Sequence, residues 1–228
     1  MEAREPVFYQ WSDPPADLRQ ERVPVGRMSY EAYRRLAETQ DVRLEWVDGL
    51  AYALATGSRR HADIAMNVVT RLVAPSEAAG CRVYSMSYSV RTPRRNEYIP
   101  DVFVTCAPRG PDDRADHASE TPCLVVEVLS PSTASADLDA KRPAYLEVPS
   151  LGAYLVVEAE WRAVHRWWRD AAGAWQYELV TGDGAVALPC PAGATLTLAD
   201  VYAGLQVPAE PPPPRVPRLR RVREPEPV

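Results

Sequence analysis

Two stretches decide the fold of this chain: IPDVFVTC at residues 99–106 and CLVVEVLSPST at residues 123–133. Each contains a run that is apolar on both faces, which is typical of central strands covered on both sides. Each run also carries one carboxylate, because Asp101 begins the first run and Glu127 interrupts the second. An ionised carboxylate in such a position must be paired or must coordinate a metal ion. We therefore expect Asp101 and Glu127 to converge at one end of a sheet.

The rest of the central part alternates between helical and strand patterns. Asp48-Gly49 between two apolar runs predicts a β-hairpin, and Ser58 is placed to cap a helix that contains His61. Further patterns predict a strand at 82–91, a helix at about 136–147, a buried strand at 153–158 and antiparallel strands up to about residue 198. This order predicts an α/β fold with a mixed central sheet, flanking helices and antiparallel C-terminal strands.

Both ends of the chain differ in composition from this central part. Residues 1–27 are rich in proline and charge, and we expect an irregular arm there. Residues 206–228 are rich in proline and arginine, which buries too little apolar surface to fold alone, so we expect a disordered tail. Residues 28–205 are expected to form one domain.

Charge and hydropathy narrow the classes of function. The net charge of −5 argues against tight binding of duplex nucleic acid, which usually needs a basic excess. It does not argue against a metal-assisted phosphodiesterase, because the cation neutralises phosphate charge. No stretch reaches the roughly 18 apolar residues that span a bilayer, and no signal peptide is recognisable at the start. We expect a cytoplasmic protein without a membrane partner.

The four cysteines are Cys81, Cys106, Cys123 and Cys190. They form no C-x-x-C pair, and no histidine lies at zinc-finger spacing from them. Three of them lie in apolar, strand-like surroundings, so we expect buried free thiols.

Lys141 is the one lysine among 26 basic residues. It shares a face of the predicted helix with Leu138 and Tyr145, and that face should point inward. A compact ammonium there would reach Asp101 and Glu127. The alternative is a surface ion pair with Asp137, four residues earlier. Pro143 removes a backbone donor from the predicted helix and can kink it.

The order of these residues resembles the Uma-two family of the PD-(D/E)xK nuclease superfamily. The resemblance is carried by Pro100-Asp101, VVEVLSPST at 125–133, Asp137, Lys141, Tyr145 and AYLVVE at 153–158. It covers about residues 28–205 and implies a restriction-endonuclease-like fold.

The resemblance also implies roles for individual residues. Asp101 matches the metal-binding aspartate, and Glu127 matches the acidic residue of the second motif. Leu129 stands where the superfamily usually has its lysine, and Lys141 from the next helix matches the position that supplies it instead. Glu45 matches a helper carboxylate, although a salt bridge with an arginine is an equal alternative. His61 matches a histidine at the head of a helix, although a structural role is the stronger alternative there.

These observations predict metal-dependent hydrolysis of a nucleic-acid phosphodiester, with DNA favoured over RNA. Mg²⁺ or Mn²⁺ would be held by Asp101, Glu127 and the Val128 carbonyl, and Lys141 would orient the attacking water. The basic cluster Arg91, Arg94 and Arg95, with Arg59 and Arg60 nearby, is a candidate contact for substrate phosphate, with a solvated loop as the alternative. A homodimer is expected. The alternative function is a degenerate nuclease fold that binds nucleic acid or protein without cleaving it.

Overall fold

The computed structural model describes residues 22–39, 42–108, 117–129 and 141–211, and those residues form two six-stranded sheets and one two-stranded sheet. The helices are α1 (Tyr30–Thr39), α2 (Arg59–Ala78), α3 (Arg142–Leu146) and α4 (Leu198–Val201). The strands are β1 (Arg22–Arg27), β2 (Leu44–Val47), β3 (Leu50–Leu54), β4 (Arg82–Ser85), β5 (Ser89–Arg91), β6 (Glu97–Tyr98), β7 (Val102–Thr105), β8 (Ala118–Ser119), β9 (Pro122–Leu129), β10 (Ala153–Glu158), β11 (Ala163–Arg169), β12 (Trp175–Thr181), β13 (Ala185–Ala187) and β14 (Thr195–Thr197).

The central sheet has the strand order β12-β11-β10-β9-β7-β4. Only its β9–β10 pair is parallel, and every other neighbour in that sheet is antiparallel. The expected mixed central sheet is therefore confirmed, and the C-terminal antiparallel strands extend it. A second sheet, the N-terminal sheet, has the order β1-β3-β2-β6-β5-β8 and was not expected as a separate layer.

Local sequence signals account for the first elements. Asp48 and Gly49 both have positive φ, as a tight hairpin turn between β2 and β3 requires. The Ser58 side chain accepts a hydrogen bond from His61 N and so caps α2, as the sequence predicts. The turn fixes where β2 ends and the cap fixes where α2 begins, and both elements contribute to the site described below.

Alternate residues of β9 pack into two hydrophobic clusters on opposite faces of the central sheet. Leu124, Val126 and Val128 belong to the cluster that includes α2, whereas Val125 and Leu129 belong to the cluster that includes Tyr145 of α3. Glu127 is two residues away from both Val125 and Leu129, so its side chain points to the same face of the sheet as theirs. Its carboxylate therefore lies on the α3 side of the sheet.

The structure corrects three expected boundaries. The strand predicted at 82–91 is broken at Met86, which has a φ of 55°, and its halves join different sheets. Part of the expected irregular arm is strand β1, which pairs with β3. Val207, placed in the expected tail, is only 6% exposed, and the Pro208 carbonyl accepts a hydrogen bond from Arg162 N. The helix predicted at about 136–147 is present in part as α3, and its residues 136–140 lie outside the described residues.

The expectation of buried free thiols is wrong. Cys81 is joined to Cys106 and Cys123 to Cys190 by disulfides, and Cys106 is exposed. Of the four cysteines only Cys81 is buried, so the apolar sequence surroundings predicted burial correctly at that one position.

Among the described residues, none of the helices combines the length and the hydropathy needed to cross a bilayer.

Val207 offers a test of how far the folded part extends. Val207→Ala should lower the free energy of unfolding by about 1–2 kcal/mol, because two buried methyl groups leave a packed cluster. Val25→Ala, at a strand position that is 48% exposed, is the matched control and should cost less than about 0.5 kcal/mol. Urea unfolding of both variants measures this. Equal, small losses would place Val207 outside the core.

Candidate active site

Strand register brings the carboxylates of Asp101 and Glu127 together. Val102 of β7 pairs with Val126 of β9 in an antiparallel ladder, so the next position along places Asp101 opposite Glu127. The Val128 N–H donates a hydrogen bond of 2.7 Å to Asp101 Oδ2. The expected convergence at one end of the sheet is thus present, and Val128 contributes its amide to it.

His61, in the first turn of α2, holds Asp101 from the other side. Its Nε2 lies 3.1 Å from Asp101 Oδ2, and the His61 side chain is 8% exposed. Gly57 permits this approach, because a Cβ there would lie only 2.8 Å from His61 Nδ1. Both hydrogen bonds to the Asp101 carboxylate end on Oδ2, and no described residue donates to Oδ1.

Lys141 is the residue that directly precedes α3, and it is 5% exposed. Its Nζ is 3.1 Å from Glu127 Oε1 and 3.2 Å from Glu45 Oε1. Glu45 comes from β2 of the N-terminal sheet and Glu127 from β9 of the central sheet. The ammonium therefore links the two sheets. Asp137, the alternative partner, lies outside the described residues.

Two further donors support these carboxylates. Ile99 N–H donates to Glu45 Oε1 at 3.0 Å, and the Tyr145 hydroxyl donates to Glu127 Oε1 at 3.0 Å. Burial, together with the negative charges of Glu127 and Glu45, raises the pKa of Tyr145 well above its usual value. Tyr145 therefore stays protonated at neutral pH and remains a donor to Glu127.

A cavity of about 210 Å³ opens beside these groups. The polar and charged groups in its lining include those of His61, Asp101, Glu127 and Lys141. Arg43 also lines it, and sequence analysis missed this residue. The available signal was its position two residues before Glu45, which places both on one face of a strand.

The structure does not bring the predicted phosphate-binding cluster to this cavity. Arg91 pairs with Glu97 and Glu120, and Arg94 pairs with Glu147. Arg95 lies over the Tyr30 ring.

The two arginines at the start of α2, which were predicted to lie near this cluster, also have acidic partners. Arg59 pairs with Asp63, and Arg60 pairs with Glu160. Adjacency in sequence suggested one basic patch, but the surrounding carboxylates neutralise most of these charges.

Replacing Tyr145 tests both its hydrogen bond to Glu127 and the protonation of its buried phenol. Tyr145→Phe should cost about 1–2 kcal/mol at neutral pH, because a buried carboxylate loses a donor. The folded protein holds this phenol protonated, so wild-type stability should fall as pH rises above 10, where the unfolded chain ionises. The variant should lose up to about 1.4 kcal/mol less per pH unit in that range.

Denaturant unfolding at pH 7 and between pH 10 and 11 measures both effects. Tyr177→Phe, at a side chain that is 52% exposed, controls for the chemical change. Identical pH dependence in the wild type and Tyr145→Phe would contradict the proposed burial of this phenol.

The fold and sequence of this chain are similar to those of known proteins. A crystal structure titled as a putative nuclease belonging to DUF820, from Anabaena variabilis, superposes with a TM-score of 0.59 at 15% identity. The match covers 72% of this chain and 91% of that one, and it shows the same fold. An uncharacterized protein of Synechocystis sp. is 32% identical over 154 residues, which are 67% of this chain and 80% of that protein.

The Uma2 family model, described as "Putative restriction endonuclease", matches residues 30–207. Those boundaries span the described core from α1 to the buried Val207 and contain each candidate site residue. This chain belongs to the Uma2 family, the Uma-two family that its sequence resembles.

Proposed function

We propose that this protein is a metal-dependent endonuclease that hydrolyses nucleic-acid phosphodiester bonds. The observation that carries the proposal is the convergence of Asp101, Glu127 and Lys141 from three chain segments beside one open cavity. Carboxylate oxygens next to a lysine ammonium suit phosphoryl transfer to water better than they suit a purely structural cluster. Family membership supports the same class of reaction.

The donor set fits Mg²⁺ or Mn²⁺. These ions prefer one or two carboxylates with water and substrate oxygen completing the coordination. Asp101 and Glu127 would hold the ion, and the Val128 carbonyl stays a predicted third ligand. When bound, such an ion polarises a phosphoryl oxygen and lowers the pKa of a coordinated water.

The protein's own residues have distinct tasks in this proposal. His61 and the Val128 amide orient the Asp101 carboxylate through Oδ2, and Tyr145 orients Glu127. Lys141 places one positive charge beside Glu127, where it would stabilise developing charge on phosphate or orient the attacking water. Arg43, at the cavity wall, replaces the arginines of residues 91–95 as the candidate contact for substrate phosphate.

The non-cleaving alternative also has an observation in its favour. Lys141 is held by two buried carboxylates, as a purely structural ion cluster would be. A binding module would keep that cluster and lack turnover. DNA as the preferred substrate, a homodimer and a cytoplasmic location stay predictions of the sequence.

Metal binding is the first test. Wild-type protein should bind Mn²⁺ in calorimetry, and Asp101→Ala should abolish the heat of binding, because this carboxylate would be lost as a ligand. Asp183→Ala, at an exposed turn, is the matched control and should bind as the wild type does. An unchanged isotherm for Asp101→Ala would remove Asp101 from the metal site.

The second test distinguishes cleavage from structural pairing at Lys141. Lys141→Arg keeps the positive charge that Glu45 and Glu127 require, but a planar guanidinium cannot place one ammonium at the same point. Cleavage should fall about a hundredfold or more, while Mn²⁺ binding and the folded circular dichroism spectrum persist.

The assay uses single- and double-stranded DNA and RNA with Mg²⁺ or Mn²⁺. Arg142→Lys, at the neighbouring position, controls for a change of cation in the same segment of the chain. Full cleavage by Lys141→Arg would show that charge balance is the only role of Lys141. No cleavage of any substrate by the wild type would favour the binding module.

A further inference from the structure

The four cysteines converge at the end of the central sheet opposite to the candidate active site. Arg82 of β4 pairs with Thr105 of β7, so the next position along that ladder places Cys81 opposite Cys106. Cys123 lies near the start of β9, on the other side of β7. Cys190 comes from the segment between β13 and β14. Four separate chain segments therefore deliver one sulfur each.

The sulfurs of the two disulfides are in contact with each other. Cys106 Sγ is 3.7 Å from Cys123 Sγ and 3.6 Å from Cys190 Sγ. The sulfurs of Cys81, Cys106 and Cys190 all lie within 4.8 Å of one another. Two independent structural disulfides have no need for such contacts. In a tetrahedral zinc–thiolate centre with Zn–S bonds of about 2.3 Å, neighbouring sulfurs are about 3.8 Å apart, close to the observed contacts.

The surrounding backbone holds this arrangement in place. Gly152 N donates to the Cys123 carbonyl at 2.9 Å. A Cβ at Gly152 would lie 3.3 Å from Pro189 Cγ, so glycine allows the segment before Cys190 to approach β9 closely. Cys81 is buried, whereas Cys106 is exposed and Cys190 is half-buried. An ion or a reductant can therefore reach the cluster from the Cys106 side.

We propose that the reduced chain binds one Zn²⁺ through Cys81, Cys106, Cys123 and Cys190, and that the two disulfides are the oxidised state of that site. Four thiolates form a soft ligand set that selects zinc over Mg²⁺. The centre would carry two negative charges, and Arg82, with Nη1 3.4 Å from the Cys81 carbonyl, provides a nearby cation.

The two states interconvert by balanced steps. A phosphine reductant and one water per disulfide give two thiols and the phosphine oxide, so two disulfides give four thiols. Zn²⁺ then binds with release of four protons. In the reverse direction, two hydrogen peroxide molecules oxidise the four thiolates to two disulfides, release Zn²⁺ and yield four hydroxide ions.

The full-length chain tests this with Co²⁺ as a spectroscopic probe. Protein is reduced with a phosphine, freed of metal and titrated without oxygen. Thiolate-to-cobalt charge-transfer bands and the visible bands of tetrahedral cobalt should saturate at one ion per chain, and one equivalent of Zn²⁺ should remove them. The oxidised protein should give no such bands.

Two cysteine variants and one carboxylate variant identify the site. Cys106→Ser, at an exposed position, should weaken cobalt binding at least tenfold and reduce the charge-transfer intensity, with an unchanged circular dichroism spectrum. Cys190→Ser serves the same purpose if Cys106→Ser does not fold. Asp101→Ala should leave the bands unchanged, which separates this site from the proposed nuclease centre.

Absence of charge-transfer bands in the reduced chain would overturn the proposal and leave two structural disulfides. Bands that persist at full intensity in both cysteine variants would also overturn it.

Discussion

Lys141 is buried between two carboxylates that belong to different sheets, and the arrangement of the candidate site depends on that contact. Removing three charged groups from water costs several kcal/mol for each ion, and attraction offsets this cost only when geometry is good and the remaining polar atoms are bonded. Ile99 N–H and the Tyr145 hydroxyl supply such bonds to Glu45 and Glu127. Removing one partner would leave an uncompensated buried charge, so the fold and the composition of the site are linked.

Asp101 has hydrogen-bond partners of a different kind from those of Glu45 and Glu127. It precedes a strand at the cavity, its side chain is 16% exposed, and a histidine and a backbone amide orient it rather than a permanent cation. The site therefore combines a buried interior, in which one ammonium offsets part of the charge of two carboxylates, with a third carboxylate at its opening. This division lowers the repulsion within the anionic site, because Lys141 offsets one of the two negative charges of Glu45 and Glu127.

Local signals in the sequence were sufficient for the elements that begin at a turn or a cap, such as the Asp48-Gly49 hairpin and the helix capped by Ser58. They also indicated that Asp101 and Glu127 meet, because two apolar strands with one carboxylate each leave few other solutions. They did not reveal the break at Met86, since alternation continues through a residue whose backbone turns. The cysteine cluster was invisible for a related reason. Its members lie on different strands, and their meeting depends on register rather than on spacing in the sequence.

Strand β7 connects the two ends of the central sheet, with Asp101 directly before it and Cys106 directly after it. A strand of this length separates the two residues by roughly 17 Å, so neither group contacts the other. They are nevertheless coupled through register. A slip of one residue in the ladders on either side of β7 would turn Asp101 away from Glu127 and separate Cys106 from Cys81. The Cys81–Cys106 disulfide fixes the register of β4 against β7, whereas a zinc ion held by all four cysteines would also join β7 to β9 and so fix the pairing that places Asp101 opposite Glu127. The cysteines can in this way support the carboxylate site without taking part in its chemistry.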